Sequence, residues 1–573
     1  MTPGRHIVFV VALAASMLLS PSPVLGVGTW MPVAHVAPGP VSLMQLLSDG
    51  TVLAANSSTS SNWYRLTPDL SGSYVNGTWS TAASMHDTRL YFSSEVLTDG
   101  RLFVAGGEYG TGAARSEVYD PVNNTWTPAP VPLSLLNPAN SSPEAGEKQG
   151  FYDSISKILP DGSVLVAPVG AINVGGTLIY YPALNTWSNG PDFFRTGYPD
   201  QAEASWVKLP DNSVLTIDPA GTNSERFIPS LNQWVNDATV PVSIYSSIGG
   251  EIGPALLLPD GRAFFLGASG HTAFYSPSGT TNPGSWAAGP DIPNGQTTPD
   301  ASAAMMVNGK ILCAVGPALF TNSGGVVQYT GPTTFYEFDP VANSFSATGT
   351  PSGGIENYPP YVSGMLDLPD GTVLYSRFST TLRVYIPDGS PVSAGKPSIS
   401  TITENDDGSY QVTGTLLNGI SEGAAYGDDA QMNSNYPLIR LTNSAGNVYY
   451  ARTYNWSSTG VMTGTNLVTA QFTLPAALPA VGTNSLVVVA NGISSDPVSL
   501  ITPLALRLTP LVGNKKVALS WPSLPANAGL ESATNLLSGI WSSVSNGVTV
   551  VSNRFVLTNT LGTASAFFRL QLH

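Results

Sequence analysis

The chain has 573 residues, 42% of them hydrophobic, with 58 glycines, 47 prolines and only 10% charged residues. That length exceeds one ordinary core and that hydrophobic content excludes a disordered chain, so two or more turn-rich β domains are expected. A formal net charge of −15 argues against nucleic acid and anionic membrane surfaces as partners, and leaves cations, neutral sugars and basic ligands.

At the start, Arg5 and His6 precede the apolar run IVFVVALAASMLL, and small residues follow up to Gly26. A short polar start, an apolar core and small residues are the pattern of a secretory signal peptide over 1–26. The apolar run is about 13 residues, short of the roughly 20 that a spanning helix needs. No later segment has that length, so the expectation is no membrane span and an exported chain, secreted or at the cell surface.

From residue 27 onward a hydrophobic run breaks at a turn and resumes, seven times. The turns are Asp49-Gly50, Asp99-Gly100, Asp161-Gly162, Asp211-Asn212, Asp260-Gly261, Asn308-Gly309 and Asp370-Gly371. A two-residue turn with positive φ at its centre favours Asn or Asp followed by Gly, so each reads as a β-hairpin. Recurrence every 48 to 62 residues predicts a seven-bladed β-propeller over 27–394. After the hairpin the motif VYDPVNNTW returns as IYYPALNTW and RFIPSLNQW, with looser copies FYSPSGTTNPGSW and FYEFDPVANSF. This gives four strands per blade. The terminal aromatic is expected between neighbouring blades, where burying it stabilises by about 1.5–3 kcal/mol.

The seventh repeat, LRVYIPDG, has no such aromatic, and GTWMPVA around Trp30 supplies one from the other end of the domain. An N-terminal strand is therefore expected to close the ring. Two intervals are 62 residues long; one contains 130–150, the other TNSGGVVQYTGPTTF and SATGTPSGGIENYPP. Extra loop length in a propeller usually lies on one face, where ligands bind. Cys313 is the sole cysteine, so there is no disulfide framework and no CxxC site; it reads as a buried small apolar residue.

Residues 395–503 lose the repeat and alternate as strands, predicting an immunoglobulin-like β-sandwich. Residues 504–573, with KKVALSWPS and FFRLQLH, predict a small fibronectin-like β module. Its last segment reads as a strand of that module or as a surface-attachment signal. Asp428, Asp429, Asn433 and Asn435 read as a polar turn, with calcium as the alternative. Asn56, Asn123, Asn140 and Asn455 begin N-x-S/T triplets.

A propeller brings distant residues to one axis. Counting eight or nine residues back from each turn gives the point where the inner strand enters the channel. This selects Tyr152, Glu203, Glu251, Asp300 and Tyr361, with Arg89 and Tyr91 near the same level. Such a ring of carboxylates and phenols could hold Ca²⁺, accept hydrogen bonds from sugar hydroxyls beside stacking tyrosines, cleave a glycoside, or line a solvated pore. No GxSxG, HExxH or P-loop occurs.

The blade motifs resemble kelch repeats. With the signal peptide and the sandwich, over about 28–503, the chain resembles galactose oxidase and glyoxal oxidase, whose sandwich is an early-set domain; the stretch EGAAYGDDAQMNSNYPLIRLTN carries that likeness. The resemblance implies a copper ion on two His and two Tyr, one Tyr cross-linked to Cys. Here the Phe-Cys position is Phe92-Ser93, the cross-linked Tyr falls near Tyr152, and Tyr-His becomes Tyr361-Val362. The sandwich loop NWSSTGVMTG has no His, and none of His35, His86 and His271 matches a ligand position. Val cannot ligate copper and Ser cannot form the thioether, which argues against the copper cofactor.

The chain is thus expected to be an all-β, monomeric, exported binding protein for carbohydrate or another extracellular polymer, without the copper site of its oxidase relatives. The alternatives are an oxidase with a rearranged site, a hydrolase using the channel carboxylates, and a surface adhesion or structural protein.

Overall fold

The turns explain why the chain repeats. In the computed structural model each Asp or Asn side chain accepts a hydrogen bond from the amide two residues on, at 3.0–3.2 Å: Thr51, Arg101, Ser163, Ser213, Arg262, Lys310 and Thr372. Only the residue after the Asp or Asn takes positive φ, 64° at Asn212 and 76–87° at the six glycines. Its amide bonds to the carbonyl three residues back, as Gly50 N to Leu47 O at 2.9 Å. The expected two-residue turn is therefore corrected to a longer one, a type I turn followed by one left-handed residue. Asp is needed for its side-chain acceptor, and Gly for its φ.

The structure describes residues 27–136, 150–169, 176–195, 201–219, 221–424, 434–479, 481–502, 505–511, 515–522, 528–551, 554–560, 562 and 565–572. The expected signal peptide, Asn140, Asp428, Asp429 and Asn433 lie outside these residues. The described part is nearly all β. Seven successive antiparallel sheets, six of four strands and one of five, occupy the first two thirds. The first sheet is Val41–Leu46, Val52–Asn56, Trp63–Thr67 and Thr78–Thr81. The inner strands of the others are Ser93–Val96, Ser156–Ile158, Val207–Lys208, Ala255–Leu257, Ala303–Met305 and Gly364–Asp367.

These inner strands neighbour one another in a ring. Gln45 Nε2 donates to Ser94 Oγ at 2.8 Å, Glu203 N donates to Asp153 O at 3.2 Å, and Gly364–Asp367 lies against both Val41–Leu46 and Ala303–Met305. Thr29–Pro32 closes the seventh sheet by pairing with Arg383–Ile386, Trp30 opposite Tyr385. Trp30 packs on Phe335, Tyr375 and Tyr385 at 4.7–5.3 Å, and its Nε1 donates to Gly349 O beyond the sixth sheet. Trp126, Trp187 and Trp286 reach back to Ala83 O, Ala129 O and Ser224 Oγ in the same way, so these aromatics staple their sheets to the preceding ones.

An eight-stranded antiparallel sheet, Ser398–Glu404 through Val498–Thr502, follows. It sits on the face bearing the turns: Thr453 N donates to Ser48 O, Trp456 N to Thr98 O, and Arg452 to Asp99 O. Its loops enter the base of the axis. Thr459 Oγ1 donates to Leu159 O at 3.0 Å, and Val461 is fully buried among Leu209, Ile217 and Ile252. Glu422 lies between Lys157 and Lys208, at 3.2 and 2.5 Å, all three buried. At the C-terminus two small sheets share Leu519, Trp521, Leu530 and Leu557, and the segment Phe567–Leu572 pairs with Ala528–Ala533 as a strand of that unit.

Burial alone would oppose charge on Glu422, but the two lysines outweigh it and hold its carboxyl below the ordinary range of 4.5. Its stabilisation is therefore present above that range and disappears as pH falls through the lower folded value. Glu422→Gln leaves two buried ammonium groups short of a counter-charge. It should cost about 3 kcal/mol in urea unfolding at neutral pH, with the difference from wild type shrinking on acidification. Equal stability at neutral pH would show that the triad contributes nothing net.

Candidate functional site: an acidic well on the propeller axis

The second β unit occupies the turn end of the axis, and the residues selected from sequence lie at the other end, where the inner strands begin. Four segments approach it alike. Eight residues before the turn, Tyr91, Asp153, Glu203 and Asp300 have φ of 55°, 45°, 55° and 51°. Left-handed backbone is strained for such residues and persists only where the surroundings impose it.

Glu203, Glu251 and Asp300 bring carboxylate oxygens within 4.8 Å of one another. Glu251 is buried and the other two are half-buried. At an effective dielectric near 20, two unit charges at that spacing repel by about 3.5 kcal/mol, less where water reaches them. The Tyr329 hydroxyl donates to Glu251 Oε1 at 2.5 Å, and burial together with Glu251 pushes its phenol far above the ordinary range. Tyr361 stands edge-on to Tyr329, ring centres 5.8 Å apart.

Asp153 extends the set. Burial, then the charges of Glu108 and Glu251, raise its carboxyl to about 7 against a bond to Glu203 that lowers it. Glu108 N donates to Tyr91 O at 3.0 Å, which joins the acids to an aromatic group: Tyr91 lies 6.3 Å from Tyr109 and 6.2 Å from Phe378.

Of the residues selected from sequence, Glu203, Glu251 and Asp300 come together, Tyr361 joins them through Tyr329, and Tyr91 borders them. Tyr152 is half-buried beside Asp153, the residue in left-handed backbone. Arg89 is corrected: its guanidinium is fully buried and bound to Gly106 O, Arg115 O and Glu117 within the second sheet, so it positions that segment and does not line the opening. Asp153 was reachable from sequence by counting eight in its repeat, where counting nine gives Tyr152. Tyr329 falls in a long insertion and carries no periodic signal.

A copper centre does not fit. Of the histidines, His35 bonds to Gly77 O, His86 to Glu117 and His271 to Asp291. Among the described residues, the His, Cys, Asp and Glu groups that converge are the three carboxylates alone. Cys313 is buried in the sixth sheet, its Sγ 3.5 Å from Tyr336 O, and burial raises the thiol to about 12, far from a ligating thiolate. Ser93 is fully buried on the inner strand of the second sheet, and the loop 455–464 contains no histidine. The hard oxygens of the well suit a cation such as Ca²⁺ or hydrogen-bond donors instead. Asn56 and Asn455 donate their amides to Tyr64 and Gln471.

A raised carboxyl stabilises the fold below its unfolded value of 3.8 and loses that contribution as pH rises toward its folded value of about 7. Asp153→Asn removes this dependence. Melting curves of wild type and variant should coincide near pH 4, with the wild type falling behind toward pH 7; parallel curves would place Asp153 in a more solvated setting.

Residues 92–130 match the Kelch motif. Two galactose oxidase sequences from Gibberella zeae are 36% identical over 78 residues, 13% of this chain, and the match spans 11% of their own length. Among solved structures, a fungal alcohol oxidase of the AA5 family in complex with copper aligns with 84% of this chain and 100% of its own, at 15% identity and a TM-score of 0.46. A streptogramin B lyase aligns with 63% of this chain and 98% of its own, at 11% identity and a TM-score of 0.38. No helix among the described residues is long and apolar enough to cross a membrane. The sequence matches therefore support a kelch motif over 92–130 and a partial, local similarity to galactose oxidase.

Proposed function

We propose that this is an exported binding propeller that recognises carbohydrate, or another hydroxyl-rich extracellular polymer, at the axial well, and that it does not carry out copper-radical oxidation. The observation that carries the reading is the convergence of Glu203, Glu251 and Asp300 within 4.8 Å beside Tyr329 and Tyr361. Carboxylate oxygens accept hydrogen bonds from sugar hydroxyl groups, and aromatic rings beside them suit the faces of sugar rings. The apolar run before Gly26 supports export. A second reading, Ca²⁺ held by the same three carboxylates, is favoured by their oxygen-only donors and mutual spacing.

Calorimetric titration of the purified protein with soluble oligosaccharides tests the site. The triple change Glu203→Gln, Glu251→Gln, Asp300→Asn should weaken binding at least about tenfold, the loss of one charge-assisted bond or more. Unchanged affinity would move recognition to the outer loops. Chelation with EDTA separates the second reading, since binding that collapses on chelation and returns with Ca²⁺ requires the ion. Copper reconstitution should give neither stoichiometric copper nor peroxide from galactose or glyoxal; both together would mean that a redox site exists elsewhere in the chain.

A further inference from the structure

Where the second β unit meets the base of the propeller, a cavity of about 10 Å³ lies between them. Val96 and Ile158 come to it from the inner strands of the second and third sheets. Asn418, Asn435, Tyr436, Trp456 and Thr459 come from the second β unit, and every one of these side chains is buried. The Tyr436 and Trp456 rings stack with centres 4.7 Å apart, and the indole N–H is already spent on Thr453 Oγ1 at 3.1 Å. Thr459 Oγ1 donates to Leu159 O at 3.0 Å, which leaves its lone pairs to accept. Asn418 is the side chain with an unmet demand. It is 1% exposed, its Nδ2 donates to Ser458 O at 2.8 Å, and its buried Oδ1 has no hydrogen-bond partner among the described residues. Buried polar atoms are nearly always satisfied, by protein or by ordered water.

We propose that this cavity is a binding site for one structural water molecule, which donates to Asn418 Oδ1 and takes its further partners from the Asn435 amide and the Thr459 hydroxyl. The size fits, since a space of about 10–15 Å³ accommodates a single water and nothing larger. The lining fits too. Cavities that stay dry are apolar, whereas two amides and a hydroxyl offer the two to four partners that a buried water needs. A metal cation suits the place less well. The lining has no carboxylate, and the Lys208 ammonium donates to Thr459 O at 3.0 Å, so like charge stands close by. The water belongs to the junction of the two units, because the polar groups that hold it sit on one and Val96 and Ile158 cover it from the other. It therefore acts with the Glu422 triad in seating the second β unit on the turn end, independently of what the axial well binds.

A crystal structure of the full-length protein, fine enough to resolve ordered water, tests the site directly. One density peak should stand within about 3.2 Å of Asn418 Oδ1 and of a second polar atom of the cavity. An empty cavity would overturn the proposal. So would a peak that gives an anomalous signal after soaking in rubidium, because the guest would then be a monovalent cation. Unfolding in urea gives an independent check. Val96→Ile puts one more carbon into the cavity, expels the water and strands the Asn418 oxygen, so it should raise the unfolding equilibrium constant at least about tenfold. In an Asn418→Ala background no acceptor is left to strand, and the same change should have little effect or stabilise the fold. An equal cost in both backgrounds would mean that crowding alone sets it, and would overturn the hydrated site.

Discussion

Glu422 held between Lys157 and Lys208 fixes the polarity of the molecule. Three charges stripped of water in one place are tolerated only when their geometry satisfies them, and here two inner strands supply the cations and the following β unit supplies the anion. Val461 and Thr459 enter beside them. The turn end of the axis is thereby filled by charge pairing and apolar packing. The strand-start end is left as the place where polar side chains can meet solvent and a guest.

That division explains how like charges coexist on one axis. At the base, Lys157 and Lys208 neutralise Glu422. In the well, Glu203, Glu251 and Asp300 face one another, and the nearby groups named by their influence on Asp153 are also acidic. Repulsion of a few kcal/mol per pair is a cost that folding alone does not recover. The repeated left-handed backbone at Asp153, Glu203 and Asp300 adds strain at the same level. Both features occur at one height of the ring, and the binding reading proposed above rests on them together.

What the sequence made legible follows from periodicity. The seven Asp or Asn turns were readable because each repeats the same side-chain cap and the same left-handed residue, although the turn is longer than the dipeptide suggests. Trp30 revealed the closing strand, since a missing aromatic in the last repeat had one counterpart at the start. Glu203, Glu251 and Asp300 were readable because eight or nine residues before each turn the chain reaches the segment that leads into an inner strand. Where regularity stops, reading stops. Asp153 and Tyr152 differ by one residue, and one residue decides which side chain faces the axis. Tyr329 comes from an insertion with no counterpart in other repeats. Arg89 lies at the right level but its guanidinium is drawn into the second sheet by Glu117 and two carbonyls. Glu422 belongs to a unit without repeats, so nothing in its neighbourhood marks it as the partner of two distant lysines.

The local similarity to galactose oxidase lies in a kelch segment, while the His, Cys, Asp and Glu groups that converge among the described residues are carboxylates. The described histidines His35, His86 and His271 are each engaged apart from the axis, with Gly77 O, Glu117 and Asp291, and Cys313 is buried in the sixth sheet. The positions that do converge carry hard anionic oxygen. A propeller's axis is generic, because any side chain at the right height meets six counterparts from the other sheets. Substituting at that height changes what the ring holds while the turns, the staples and the closing strand go on holding the ring itself. The propeller architecture and the acidic cluster are therefore compatible: the first resides in residues that pack, and the second in the few that face the axis.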